Sequence, residues 1–378
     1  MKEIGLYIHI PFCKQKCYYC DFCSYANKLN IQEKYINSVI NEIKNIKNKS
    51  EYLIKTIYIG GGTPSIIDAN KIENVVSEIK NSFNVSAEAE ITIEVNPGTV
   101  IEENLIIYKK CGINRLSIGL QSTNDSILKT IGRIHNYADF EKTYEMARKI
   151  GFKNINVDLM IGLPNQTIKD VEETLKNIIQ KEPEHISVYS LIIEEGTILH
   201  QKIEKGELEL PDEDIERNMY WKVNKVLEKN NYIQYEISNF SKPSYKSKHN
   251  TDCWKQKEYI GIGIAAHSYL NSIRYSNISN IEDYIKNIEN NQYEKNVIIH
   301  EKQDSNTMMN EYMILGLRMI KGIDIKQFEN KFLVNPAIIY KEQLQKLQKA
   351  NLLEIKNERI MLTKKGIDFA NIVWEEFI

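Results

Sequence analysis

Short β-branched runs alternate with longer amphipathic stretches through the first 230 residues. Candidate strands are Leu6–Ile10, Thr56–Gly60, Ile91–Val95, Arg115–Gly119, Asn156–Ile161 and Ile186–Leu191. Between them lie helical patterns at Ile31–Ile46, Lys71–Ser82, Ile101–Cys111, Tyr137–Ile150 and Thr167–Gln180, with a sixth at Asp214–Glu228. In the fifth of these, apolar residues recur at Val171, Leu175, Ile178 and Ile179, the spacing of a buried helical stripe. Strict β–α alternation predicts a parallel sheet with right-handed crossovers. Six units fall short of the eight that close a full barrel. The predicted fold is therefore α/β: an open, partial (β/α)6 barrel of the TIM type over residues 1–230, with a mouth wide enough for a large ligand.

The pattern changes after that. Residues 231–300 carry short strands and are expected to close the barrel. Residues 301–378 turn helical, and Asn351–Ile355 with Arg359–Thr363 reads as a β-hairpin following a helix. Helix, two-stranded wing and helix predict a winged-helix-like C-terminal domain. Such a module can bind DNA or serve as a docking or lid domain. A net charge of -2 supports the second use and makes no electrostatic case for nucleic acid.

The 378 residues are 42% hydrophobic and 26% charged, as in globular proteins. No apolar run approaches the ~20 residues of a membrane span. The first residues alternate like a strand and unlike a signal peptide. These features predict a cytoplasmic protein, where clustered thiols signal metal or redox chemistry and not disulfides.

Three of the six cysteines, Cys13, Cys17 and Cys20, fall within eight positions. The C-x-x-x-C-x-x-C spacing supplies three thiolates and no evident fourth. A cubane iron–sulfur cluster ordinarily takes four cysteines, so three leave one iron open. A zinc site would need a fourth ligand, for which Cys23 and His9 are the local candidates. Cys111 and Cys253 stand alone, and Cys111 reads as packing at a helix end. The chemistry-bearing residues otherwise gather where strands end, the functional face of a parallel barrel. Gly60-Gly61-Gly62-Thr63-Pro64 follows strand two, Glu94 and Asn96-Pro97-Gly98 close strand three, Gln121 follows strand four, and Asp158 precedes Gly162-Leu163-Pro164. No Lys-Ser/Thr follows the glycines, which excludes a P-loop. Gly261-x-Gly263-x-x-Ala266 imitates a dinucleotide fingerprint but lacks a surrounding βαβ unit.

The cysteine run, the Gly-Gly-Gly-Thr-Pro motif and Asp158-Leu159-Met160-Ile161-Gly162-Leu163-Pro164 resemble the radical S-adenosylmethionine (SAM) enzymes. More narrowly, they resemble the oxygen-independent coproporphyrinogen III oxidase group and its haem-chaperone branch, over residues 3 to 378. The resemblance implies a 4Fe-4S cluster on Cys13, Cys17 and Cys20. It implies SAM contacts from Tyr7, Gly61, Gly62, Thr63, Glu94, Gln121, Arg133 and Asp158, with Tyr19 in the aromatic place before the third cysteine. Gly61 and Gly62 would let backbone approach the ligand closely.

Two departures separate this chain from the oxidases. They carry a further cysteine two residues after the third ligand, where this chain has Phe22, and a long extension before the first strand, which here begins by Ile4. The haem chaperones carry an H-N-x-x-Y-W motif implicated in haem binding. Its counterpart here is His249-Asn250-Thr251-Asp252-Cys253-Trp254, with Cys253 replacing the tyrosine. His249 would then ligate haem iron and Trp254 stack on the macrocycle, with His267 the next candidate ligand. The resemblance thus implies a protein that binds haem and hands it to apo-haemoproteins, a membrane-associated acceptor among the compatible ones, with an electron-donor protein as a further partner. The alternative is an enzyme that decarboxylates coproporphyrinogen III to protoporphyrinogen IX.

Overall fold

The computed structural model describes residues 1–378. Six strands, β1 (Lys2–Ile10), β2 (Tyr52–Gly61), β3 (Asn84–Val95), β4 (Arg115–Gln121), β5 (Ile155–Ile161) and β6 (His185–Ser190), pair in parallel in sequence order. The helices between them are α1 (Gln32–Asn45), α2 (Ala69–Ser82), α3 (Glu102–Cys111), α4 (Tyr137–Ile150) and α5 (Ile168–Gln180), and α6 (Glu213–Lys229) follows β6. Each strand and helix overlaps its expected place, and all bounds agree within about four residues except the start of β3, which reaches back to Asn84 through a mostly exposed stretch with no apolar run to mark it. Two short helices, Asp125–Thr130 and Ile198–Glu204, were not foreseen, because neither is long enough to show a period.

Alternation along the strands divides their side chains into two sets. Leu6, Ile8 and Ile10, Ile57 and Ile59, Ile91 and Ile93, Leu116 and Ile118, Val157 and Leu159, and Ile186 and Val188 enter one apolar core of 58 buried residues with the helices. The opposite phase is polar: Tyr7 and His9, Thr56 and Tyr58, Thr92 and Glu94, Arg115 and Ser117, Asn156 and Asp158, His185 and Ser187. A closed eight-fold barrel fills its interior with branched apolar residues. This one fills it with hydrogen-bonding groups.

Between 231 and 302 the chain lengthens the sheet at both edges. The antiparallel pair β7 (Ile233–Glu236) and β8 (Asn239–Ser241) adds beside β6. At the other edge β9 (Tyr259–Ile262) runs parallel to β1, and β10 (His267–Leu270), β11 (Ile273–Asn277) and β12 (Val297–Lys302) continue antiparallel. The result is one twelve-stranded sheet that ends at β12 and β7, strands not hydrogen-bonded to each other, so the barrel stays open. Gly261 lies within β9, and Gly263 after it opens a turn into an antiparallel strand, not a helix, so no dinucleotide unit forms there.

Residues beyond 303 bury a separate core of 13 residues between Met309 and Phe377. A three-stranded sheet of Ile323–Asp324, Leu353–Lys356 and Arg359–Leu362 carries the expected wing. No helix is long and apolar enough to cross a membrane.

Candidate functional site

The ends of β1 to β6 open into a cavity of about 520 Å³. Eleven of the residues singled out in the sequence line it: Cys13, Cys17, Tyr19, Cys20, Gly61, Gly62, Thr63, Glu94, Gln121, Arg133 and Asp158. The cysteine loop is fastened on two sides. Gly62 donates its N–H to the Ile10 carbonyl at 2.8 Å, and Thr63 to that of Phe12 at 2.7 Å. On the other side Tyr18 donates to the Ile131 carbonyl at 3.0 Å. The Thr63 hydroxyl points at the Cys13 sulfur, 3.7 Å away, and Arg133 Nη1 donates to the Cys17 sulfur at 3.3 Å. Burial pushes the Cys13 thiol up and the Cys20 thiol to about 11, so ligation must expel their protons.

No three His, Cys, Asp or Glu side chains gather tightly enough to grip a single ion. A cubane takes each thiolate on a different iron, so these three cysteines on one loop suit it better than zinc. Both candidate fourth ligands are engaged elsewhere. The Cys23 sulfur faces the Ser279 carbonyl at 3.6 Å, and His9 lies between the Tyr7 hydroxyl at 3.0 Å and the Cys23 carbonyl at 2.8 Å. The donor set is therefore three thiolates, which fits a cluster with one iron left for a further ligand.

The glycines matter by closeness. A Cβ at Gly62 would stand 2.7 Å from the Phe12 carbonyl oxygen and 3.0 Å from the Cys13 sulfur. Gly62→Ala should destabilise the metal-free protein by about 1–3 kcal/mol in urea unfolding and lower its iron uptake. Unchanged values for both would refute the tight apposition of the two loops.

The cavity wall facing the cysteines is acidic and deeply buried. Glu94 accepts from the Tyr58 hydroxyl at 2.9 Å and the Gly61 N–H at 3.0 Å. Burial first, and then the Asp158 charge, push its carboxyl up to about 7. Asp158 accepts from Asn156 at 2.8 Å and Ser117 at 3.0 Å, and burial pushes it up as well. Gln121 has φ 73°, a left-handed conformation that a non-glycine residue adopts only under constraint from its surroundings. Arg133 also donates to Asn96 Oδ1 at 2.8 Å. These groups can accept from hydroxyl and ammonium groups and pair with a carboxylate, as an amino-acid-bearing nucleoside requires.

Three expected residues lie elsewhere. Tyr7 sits behind the wall, its ring stacked on Tyr58 at 6.3 Å. His249 and Trp254 belong to a helix, Lys248–Trp254, under the opposite end of the barrel. His249 is buried, with Nδ1 at 2.9 Å from the Thr56 hydroxyl and its ring 5.3 Å from that of Tyr58. Burial and the nearby Arg115 pull its pKa down to about 4, so the imidazole is neutral, the form that ligates metals. Trp254 faces the C-terminal domain, with Arg318 4.3 Å over its ring. His267 is exposed and stacks on His300 at 5.4 Å. Cys111 is buried at the end of α3, its thiol 3.1 Å from the Tyr108 carbonyl.

Tyr58, Ser117 and Tyr189 also line the cavity and were not singled out from the sequence, and Asn96, named there only in the turn that closes strand three, lines it as well. Alternation was the available signal for two of them: Tyr58 shares its phase with Gly60, and Ser117 with Gly119 and Gln121.

Comparison with known proteins agrees with this geometry. The radical SAM superfamily matches residues 7–178, and the HemN C-terminal domain matches residues 303–369. The heme chaperone HemW of Lactococcus lactis is 36% identical over 377 residues, covering 100% of this chain and 98% of that protein. Its namesake in Bacillus subtilis is 36% identical, covering 98% of each. The crystallised coproporphyrinogen III oxidase HemN of Escherichia coli superposes with a TM-score of 0.86 at 22% identity, over 100% of this chain and 90% of that one, and shares the fold. Full-length likeness of this kind, on top of three thiolates facing an acidic cavity, means that the chain belongs to the HemW family of radical SAM proteins.

Proposed function

We propose that this protein is a haem chaperone: it binds haem and passes it to apo-haemoproteins, carrying a 4Fe-4S cluster on Cys13, Cys17 and Cys20 and SAM in the adjoining cavity. The observation that carries the reading is end-to-end similarity to proteins named heme chaperone HemW. The residue at the branch point agrees with it. Phe22 stands where the oxidases carry a cysteine, and it is 63% exposed at the cavity rim, where it offers no thiol to a substrate.

When bound, the cluster would supply an electron to the SAM sulfonium. The chain's own part is to hold and enclose. Thr63 and Arg133 steady two of the thiolates. Glu94 and Asp158 would receive the ribose hydroxyls and the ammonium group, and Arg133 the carboxylate. Haem would be received at the Lys248–Trp254 helix. Ligation of its iron by His249 requires that helix to leave the barrel floor, because the ring is enclosed by Thr56 and Tyr58. An electron-donor protein and the acceptor apo-proteins are the partners this function implies.

Adding hemin to the anaerobically reconstituted protein should give a saturable Soret band, altered in His249→Ala. Absence of any saturable change in the wild type overturns the chaperone reading. Turnover of coproporphyrinogen III with SAM and a reductant would assign the protein to the oxidases instead.

A further inference from the structure

The cavity at the strand ends and the helix Lys248–Trp254 at the barrel floor lie close together. β3 gives the scale. Glu94 lines the cavity, and Glu90 faces the floor helix about 13 Å back along the strand. Glu90 accepts from the Lys248 N–H at 3.1 Å and the His249 N–H at 3.2 Å, so it grips the helix by its backbone. Along β3 the two ends are not joined. Thr92 stands between them, and its hydroxyl is buried without a partner.

β2 supplies the join. The Tyr58 hydroxyl donates to Glu94 at 2.9 Å, and the Tyr58 ring lies 5.3 Å from the His249 ring, tilted by 30°. One side chain thus meets the acidic wall with its tip and the floor helix with its ring. The sequence keeps room for that contact. A Cβ at Gly60 would stand 2.9 Å from the Tyr58 ring and 2.9 Å from the Glu94 carboxyl carbon, so the first of the three glycines is what lets them meet. Thr56, two positions earlier on β2, lies 2.9 Å from His249 Nδ1. A ligand that fixes Glu94 therefore fixes the residue packed over His249.

We infer that Tyr58 is a positioning residue that couples the two sites: SAM held at Glu94 keeps the floor helix docked, and SAM release frees it. The inference rests on the haem-chaperone reading, in which that helix must leave the floor, and it assigns the regulation of that step. SAM selects the Glu94 carboxylate, and a carboxylate accepts the phenol O–H more strongly than a neutral acid does. The ring is then held over His249, and undocking must also disturb the Tyr58–Glu94 bond. With the cavity empty, the ring moves aside at less cost. Linkage makes the effect reciprocal: whatever draws His249 from the floor weakens SAM binding by the same factor.

Hydrogen exchange of the Lys248–Trp254 segment tests this in the cluster-loaded full chain, with and without saturating SAM, saturation being confirmed by calorimetry. SAM should slow exchange of the wild-type helix by about fivefold or more. Tyr58→Phe keeps the ring beside His249 but cannot donate to Glu94. At saturating SAM its helix should exchange as it does without SAM. Equal wild-type rates with SAM bound, or undiminished slowing in Tyr58→Phe, overturn the coupling and leave the haem reading intact. The reciprocal measurement tests that reading. Hemin should weaken SAM binding to the wild type by a similar factor, and to Tyr58→Phe by less than about twofold. Hemin that leaves wild-type SAM affinity unchanged, while SAM still slows the helix, overturns haem ligation by His249 and leaves the coupling standing.

Discussion

Cys17→Ala should abolish the iron–sulfur cluster. Anaerobic reconstitution of the wild type with iron and sulfide should load about four irons per chain and produce the broad visible absorbance of a cubane. The variant should load close to none and lose SAM binding with it, because three thiolates have no substitute nearby. The choice of residue follows from geometry. Cys17 is the ligand whose sulfur already accepts a hydrogen bond from Arg133, 3.3 Å away, so its thiolate is the one matched to a fixed positive charge. Cys23 supplies the control. It lies only three residues after Cys20, yet its sulfur is turned to the Ser279 carbonyl, and Cys23→Ala should retain the full iron content. Normal loading in Cys17→Ala, or loss of the cluster in Cys23→Ala, would mean that the loop is arranged around a different set of thiols.

The contrast between those two cysteines shows how far the sequence could be read. Spacing singled out Cys13, Cys17 and Cys20, but Cys23 could be set aside only when its orientation was seen. The parallel core was legible because each of its strands carries an unbroken apolar phase for the helices to cover, as Leu6, Ile8 and Ile10 do. The polar phase lies in the same strands but was not read from the sequence, and in the fold it forms the interior that links Ser117 to Asp158 and Asn156 to His185. The edge extensions were less legible. β9, β10 and β11 are four or five residues long with mixed polarity, and β12 is exposed along its whole length, so periodicity had little to register. The placement of His249 and Trp254 was hidden for another reason. It depends on tertiary contacts with Thr56 and Arg318, residues 193 and 64 positions away, and no local pattern encodes those. Motif membership suggested that the two act together, whereas the helix turns one toward the barrel and the other toward the C-terminal domain.

Glu94 should give opposite pH responses in ligand binding and in folding. Its carboxyl titrates near 7 in the folded protein because burial and the Asp158 charge disfavour ionisation; the ordinary value is 4.5. Tyr7 on β1, Tyr58 on β2, Arg115 on β4 and Asp158 on β5 are the titratable or charged groups coupled to it; the hydrogen bonds from Tyr58 and Gly61 and the Arg115 charge favour the ionised form, and burial with the Asp158 charge outweighs them. Between the two values the folded state binds more protons than the unfolded one. Stability therefore falls as pH rises from about 4.5 to about 7, and an isolated shift of this size corresponds to about 3 kcal/mol at most. A ligand that brings a sulfonium and an ammonium group reverses the preference, because it selects the carboxylate. SAM affinity of the cluster-loaded protein should accordingly rise with pH through about 7. Glu94→Gln keeps one acceptor oxygen for the Gly61 N–H, turns its amide N–H to the Tyr58 hydroxyl oxygen, and cannot ionise. It should flatten both curves at once: the variant loses SAM affinity at pH 8 and loses less stability than wild type between pH 5 and pH 7. Urea unfolding of the metal-free protein and calorimetric titration of the loaded one measure the two slopes independently. A variant that weakens binding equally at every pH, with its stability slope unchanged, would show that Glu94 acts by shape alone and that the buried charge resides on another group.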